Sequence, residues 1–473
     1  MPILGVASAL LIFAIFALIG SGLYAALLAR SKAQLSIRQL FLIPVFGSAA
    51  LLCPALALNR AGMPVESFAT PLVVVLTLAG TIVSLRYRKL LNVSRSFLFV
   101  PLFLAAFWLG GRPLFEFGTN WISFANGDMI YYCLGADRIL QHGFFAIPDI
   151  AQYASDSDVS AFSWVELAVA NARSGAQTLL ALFAGLLHLR TFAAYMPLVM
   201  ALQLTLLSAG IALVYKADTY RTVAFVMAAA LAVSAQNSLG AYYQLIPQIW
   251  GGAILAGTIA LTGEPFAKVA LETVVPWVLL LWGLLVVYPE LSPFLFVSLF
   301  VLGSLALLRG SFNFATVLKA TGVIVGGTLI LLNSYFLTTV NTILSAAGNG
   351  TGKAIAARES TPVFWYFLVP TGPANLFGIL PLATLGDTVT IAAYVIVGFL
   401  LLSILLYAAV RQLRCGEPVA VTAVVMIAVA AVLFYRSSDF GLFKIAMYVQ
   451  PYLFGVLSLA LFPLLKRKGV PSL

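Results

Sequence analysis

Apolar residues run along this chain in long blocks, and short polar clusters separate the blocks. The blocks are about 16–27 residues long, which suits helices crossing a hydrocarbon layer at roughly 1.5 Å per residue. They do not alternate apolar and polar positions as barrel strands do. Candidate spans fall at residues 3–29, 39–58, 68–86, 96–112, 193–215, 222–240, 248–263, 274–288, 292–308, 318–338, 388–410, 419–434 and 446–464. These thirteen segments predict an all-α polytopic membrane protein. The short ones at 248–263 and 274–288 need a thinned bilayer or residues borrowed from their flanks. No basic residue precedes the first block, which is too long for a signal-peptide core and reads as a retained helix.

Composition excludes a water-soluble domain. Of 473 residues 62% are hydrophobic and 9% charged, against about 25% charged in soluble proteins. In lipid each backbone N–H and C=O must be paired within the protein, which these runs achieve as helices. The net charge of +10 does not point to nucleic acid, because the cations lie in short clusters between apolar blocks. Loops after the odd-numbered spans up to the eleventh, with the C-terminus, hold 17 of 26 Lys and Arg but four of 16 Asp and Glu. Basic loops face the cytoplasm, so the N-terminus is expected outside and the C-terminus inside. Cys53, Cys133 and Cys415 are too scattered for a disulfide framework.

This order predicts five units: a four-helix segment 1–112, a first external loop 113–192, central helices 193–338, a second external loop 339–387, and a three-helix segment 388–473. In the first loop, residues 176–189 are expected to lie as a helix at the membrane surface. In the second, the stretch from Phe364 to Leu382 carries Pro370, Gly372, Pro373, Gly378 and Pro381, and is expected to dip in rather than cross. Irregular backbone at such depth requires cover by protein or a wet cavity, which marks a site.

The run Asn126-Gly-Asp-Met-Ile-Tyr-Tyr-Cys-Leu-Gly-Ala-Asp-Arg-Ile-Leu-Gln-His-Gly143 predicts a short amphipathic helix on the outer surface. Asn126 serves as N-cap, Asp128 favours the positive helix start, and Gly143 is the natural left-handed stop. Its apolar face holds Met129, Ile130, Cys133, Leu134, Ala136, Ile139 and Leu140. An Asp opening a surface helix, with Tyr132, Ala136, Ile139, Leu140 and Gly143 at these spacings, resembles the first external loop of the GT-C glycosyltransferases. The resemblance implies that Asp128 is the general base that deprotonates the acceptor. It implies as partners a polyprenyl-phosphate-linked sugar donor and a lipid- or glycan-linked acceptor. It places the chain in a bacterial inner (plasma) membrane with the site facing the periplasm or exterior. Two departures stand out: four spans precede the loop, and no large soluble C-terminal domain follows, which speaks against a protein acceptor.

The other candidates follow from charge in an apolar chain. Tyr132 and Asp137 share the Asp128 helix. Glu290, in Tyr288-Pro-Glu290, lies between two spans, and Gln244 and Gln248 beside Tyr242 and Tyr243 can hydrogen-bond a sugar. For the carrier phosphate the external cations Arg436 and Lys444, with Tyr448 four residues on, stand beside Lys353 and Arg358. The run Ala347-Gly-Asn-Gly-Thr-Gly-Lys353 lacks P-loop spacing and reads as a flexible lid. The chemistry requires no cofactor; a divalent metal is the alternative, with Asp156 and Asp158 as a D-x-D pair or simply a solvated turn. A transporter or flippase of lipid-linked sugars, and a surface-polysaccharide polymerase or ligase, are the competing functions. No internal repeat of the kind transporters carry is visible.

Overall fold

The computed structural model describes residues 2–31, 33–91, 94–123, 127–169, 173–262, 264–267, 269–310, 313–333, 335–351, 367–368, 370–379 and 387–467. Every regular element among them is helical. Among the described residues eight helices are long and apolar enough to cross a membrane, or up to eleven if each of three bent pairs is one span. The chain is therefore a polytopic helical membrane protein. Helix covers each of the thirteen sequence segments, but 96–112, 222–240, 318–338 and 446–464 each straddle more than one helix, and Ile246–Ala260 and Leu271–Val287 fall short of full spanning length.

Thr191–Val214 is the axis of the bundle, buried along its whole length. It packs against Ile246–Ala260, Pro2–Ser31 and Ile37–Arg60. Its sequence carries no charge and is apolar all round, the pattern of a helix sheathed by other helices. Pro2–Ser31 and Ile37–Arg60 meet backbone to backbone: a Cβ added at Gly47 would lie 1.9 Å from the Phe16 carbonyl oxygen. Close approach through small residues replaces the hydrophobic drive that lipid cannot supply. Gly175–Leu187 is a core helix packed on Val65–Arg86, Asp128–Gln141 and the axis, with Leu179 through Phe183 fully buried. It does not lie open on a surface as the sequence led us to expect.

Connecting segments sort into two ends. At one, the Leu35 N–H donates to the Leu90 carbonyl, Arg38 pairs with Glu264, Lys216 with Glu417, and Tyr220 stacks on Phe462. At the other, Asn59 reaches the His142 carbonyl, Tyr242 that of Leu109, and Arg173 pairs with Glu290. The first end carries the basic loops.

Two neighbouring helix pairs bend at a break. Asp218–Val233 turns by 47° into Ala235–Tyr242, and Asp439–Tyr448 by 51° into Gln450–Pro463. Their inner and outer halves pack pairwise. The breaks touch where Ser234 Oγ donates to Gln450 Oε1 at 2.8 Å. Ser234 also caps the outer half by accepting the Asn237 N–H, and Pro451 opens the inner half of the other span, where it is tolerated. The short helix Gly372–Leu376 reaches the same place, with the Asn375 and Leu376 carbonyls accepting from Gln236 and Gln450. Elsewhere the sequence segment 318–338 divides at Asn333, whose φ is +41°, into Phe314–Leu332 and Tyr335–Thr351. The Gly-rich run read as a lid is thus helical through Thr351; Lys353 and Arg358 lie outside the described residues.

Candidate functional site

The helix opened by Asp128 runs to Gln141. Asn59, near the end of its own span, fixes it: the side-chain amide donates to the carbonyls of Ile139 at 3.2 Å and His142 at 3.0 Å. These are groups that a helix end leaves unpaired. Gly143 does not act through a left-handed φ as expected; it lets the Gly62 carbonyl approach, 2.4 Å from where a Cβ would sit. Gly127 occupies the N-cap, and Asn126 lies outside the described residues. Met129, Cys133, Ala136 and Ile139 are buried as the apolar face requires, whereas Ile130 is exposed. Asp128 stays exposed, and Tyr132, one turn on, is buried.

Arg173, which the sequence reading passed over, organises the site. Gly175 packs its backbone on the Val286 carbonyl, where a Cβ would sit at 2.9 Å, and the Ser174 N–H donates to the Tyr335 hydroxyl at 2.7 Å. This delivers Arg173 to the turn that follows Leu271–Val287. Its guanidinium pairs with Glu290, donates to the Tyr132 hydroxyl at 3.1 Å, and lies 4.9 Å from the Tyr288 ring centroid. Charge-assisted and cation–π contacts both strengthen where water is scarce. Arg173 and Glu290 still keep 24% and 21% of their side chains accessible, so the pair is partly open to its surroundings. Glu290 Oε2 and Arg173 Nε have no partner among the described residues. Burial pushes the Tyr132 hydroxyl above its ordinary pKa, opposed by Arg173 beside it. For Arg173 burial acts downward, but Tyr132 and Glu290 hold the guanidinium above its ordinary value and so firmly charged.

The Tyr288 hydroxyl lies 2.6 Å from that of Tyr448. Tyr448 in turn lines a small cavity at the double break with Gln236, Asn237 and Gln248. Tyr132, Glu290 and Tyr448 are therefore joined through Arg173 and Tyr288, with Asp128 one turn before Tyr132 and Gln248 lining the same cavity as Tyr448. A further cation stands close: the Arg60 guanidinium lies 4.9, 5.0 and 5.1 Å from the rings of Phe144, Phe145 and Tyr335.

Other sequence candidates sit elsewhere. Gln244 holds a turn: its Oε1 accepts the Ser123 N–H at 2.8 Å, its carbonyl accepts the Tyr195 hydroxyl, and its φ is +53°, while its Nε2 has no partner among the described residues. Asp137 faces Thr191. Arg436 is exposed, and Lys444 Nζ lies 4.4 Å from the Phe440 ring centroid. Asp158 spends its oxygens on Arg138 at 3.1 Å and on Ser160, while Asp156 is an exposed left-handed turn residue at φ +57°. The D-x-D spacing thus reads as a turn and an ion pair. One signal for the missed residues was present: Ser234-Ala-Gln-Asn-Ser238 is a polar run inside an apolar span, which lipid tolerates only beside a cavity or a partner. The chain matches no family model, no curated protein and no solved structure.

Proposed function

We propose that this chain is a membrane glycosyltransferase of GT-C type, which moves a sugar from a polyprenyl-phosphate donor to a lipid- or glycan-linked acceptor on the non-cytoplasmic face. The observation that carries it is the partly exposed Arg173–Glu290 pair. One guanidinium ties the Asp128 helix, through Tyr132, to Glu290 at the end away from the basic loops. In this reading Asp128 takes the proton from the acceptor hydroxyl as its oxygen bonds to the anomeric carbon. The anomeric C–O bond breaks with its electron pair on the departing phosphate, and Arg173 pairs with that phosphate. Arg173 thereby replaces Lys444 and Arg436 as the phosphate ligand.

The test is transfer of labelled sugar from a synthetic polyprenyl-phosphate donor by the full chain in liposomes. Asp128→Asn is expected to lower turnover by about 10²-fold or more while donor binding persists. Undiminished turnover in that variant sinks the reading.

A second reading, a flippase for lipid-linked sugars, draws support from the paired breaks, since interrupted helices frame substrate sites in transporters. It requires that Asp128→Asn leave transbilayer movement of the lipid unchanged.

A further inference from the structure

At the double break three buried amides face a shortage of donors. Gln203, Gln236 and Gln248 are 2%, 7% and 4% exposed, and the Oε1 of each has no hydrogen-bond partner among the described residues. Two of these orientations are fixed. Gln203 Nε2 donates to the Asn237 carbonyl at 3.1 Å and Gln236 Nε2 to that of Asn375 at 2.8 Å. Exchanging N and O in either would set two oxygens together. Buried acceptors left without donors are costly, and native proteins fill them with water or ligand.

Gln236, Gln248, Asn237 and Tyr448 line the cavity there, with Leu206 and Met447 among its apolar walls. It gives the centre of a water molecule about 20 Å³, room for one small polar arm. Among the described residues no Lys, Arg, Asp or Glu lines it, so a charged group would be buried there without a counter-ion from them. The ligand chemistry that fits is hydroxyl donors on a carbon frame. The cavity also adjoins the ion pair, because Tyr448 meets Tyr288, and Tyr288 stacks against Arg173. An ion pair and a neutral, acceptor-rich cavity thus stand on either side of one tyrosine pair.

We propose that this cavity takes the hydroxyl edge of an uncharged sugar whose carrier phosphate lies at Arg173. The proposal rests on the glycosyltransferase reading and names its sugar class. The probes are a short-chain polyprenyl phosphate, its glucosyl ester, and the glucuronosyl and 4-amino-4-deoxyglucosyl analogues. Binding to the full chain in detergent is read by native mass spectrometry. Gln236→Met and Gln248→Met are each expected to weaken the glucosyl lipid about tenfold, the worth of a hydrogen bond or two, and to leave the bare phosphate lipid unchanged. Both charged analogues should bind more weakly than the glucosyl lipid. Melting temperature supplies a second readout. Gln248→Met removes an orphan acceptor and should hold or raise it, whereas a purely structural role for that amide predicts a fall; Gln236→Met also strands the Asn375 carbonyl and lowers it under either reading. Equal binding of charged and neutral sugars, or glucosyl-lipid binding indifferent to both methionine variants, overturns the proposal while leaving the glycosyltransferase reading intact. Loss of binding to every sugar lipid overturns both. Selective glucosyl binding with full transfer by Asp128→Asn upholds the cavity and removes the catalytic reading.

Discussion

Arg173 and Glu290 form an ion pair across 117 positions of sequence, and each is the other's counter-charge inside a ring of tyrosines. Removing one partner strands the other. Glu290→Leu alone should therefore cost about 3–5 kcal/mol, the range for breaking a buried pair, with some discount for its partial exposure. The double variant Arg173→Met with Glu290→Leu should recover much of that loss, since an apolar pair replaces an ionic one. Thermal unfolding in detergent measures both. If the proposed function is right, the double variant is folded yet inactive. Stability and transfer recovering together would show the pair to be scaffolding only.

Asn59 serves the Asp128 helix from below by filling the carbonyls at its far end. Asn59→Leu leaves those carbonyls buried without donors, at about 1–3 kcal/mol for each group stranded. The expected result is a lower melting temperature and a fall in transfer with donor binding retained, because the helix shifts while Arg173 does not. A variant with normal melting and normal transfer would mean that packing of Gly143 on Gly62 alone holds the helix.

Asp137 offers a pH test outside the spans. Burial raises its carboxyl pKa above the ordinary 3.8, and a hydrogen bond with Thr191 opposes the rise. A carboxyl raised on folding favours the neutral form in the folded state. Its favourable contribution is present below the unfolded pKa and is lost as pH climbs through the folded one. Asp137→Asn, always neutral, should match the parent in acid and exceed its stability near pH 7. Melting curves across that interval check the sign; a variant less stable than the parent at neutral pH would show that the Thr191 bond outweighs burial.

Much of the fold was legible because lipid imposes one requirement on every span, and apolar runs such as 191–214 advertise it. The breaks were less so: the polar run Ser234-Ala-Gln-Asn-Ser238 is the one mark of the first, inside an otherwise apolar segment. At Val449 the only local sign is Gln450-Pro451. Glu290 stood out because a carboxylate between two apolar runs is expensive. Its partner did not, because Arg173 sits in the mixed first loop and no local spacing joins the two. Gln244 misled for the opposite reason: an amide beside tyrosines resembles a sugar ligand until its φ and its bond to Ser123 reveal a turn clamp.

The sidedness of the two ends can be read with the protein's own thiols. Cys415 is exposed at the end where Lys216 meets Glu417, Cys133 is buried, and Cys53 is partly covered. Asp156 is exposed in the segment that packs beside the Asp128 helix. With basic loops inside, a membrane-impermeant maleimide should label Cys415 only after cells are permeabilised. In a Cys415→Ser background, Asp156→Cys should react in intact cells. The reverse pattern would place Asp128 and Arg173 in the cytoplasm, where the topology on which sugar transfer was argued no longer holds. Labelling of both positions in intact cells would put the two ends on one face, which the pairing of loops in this bundle does not allow.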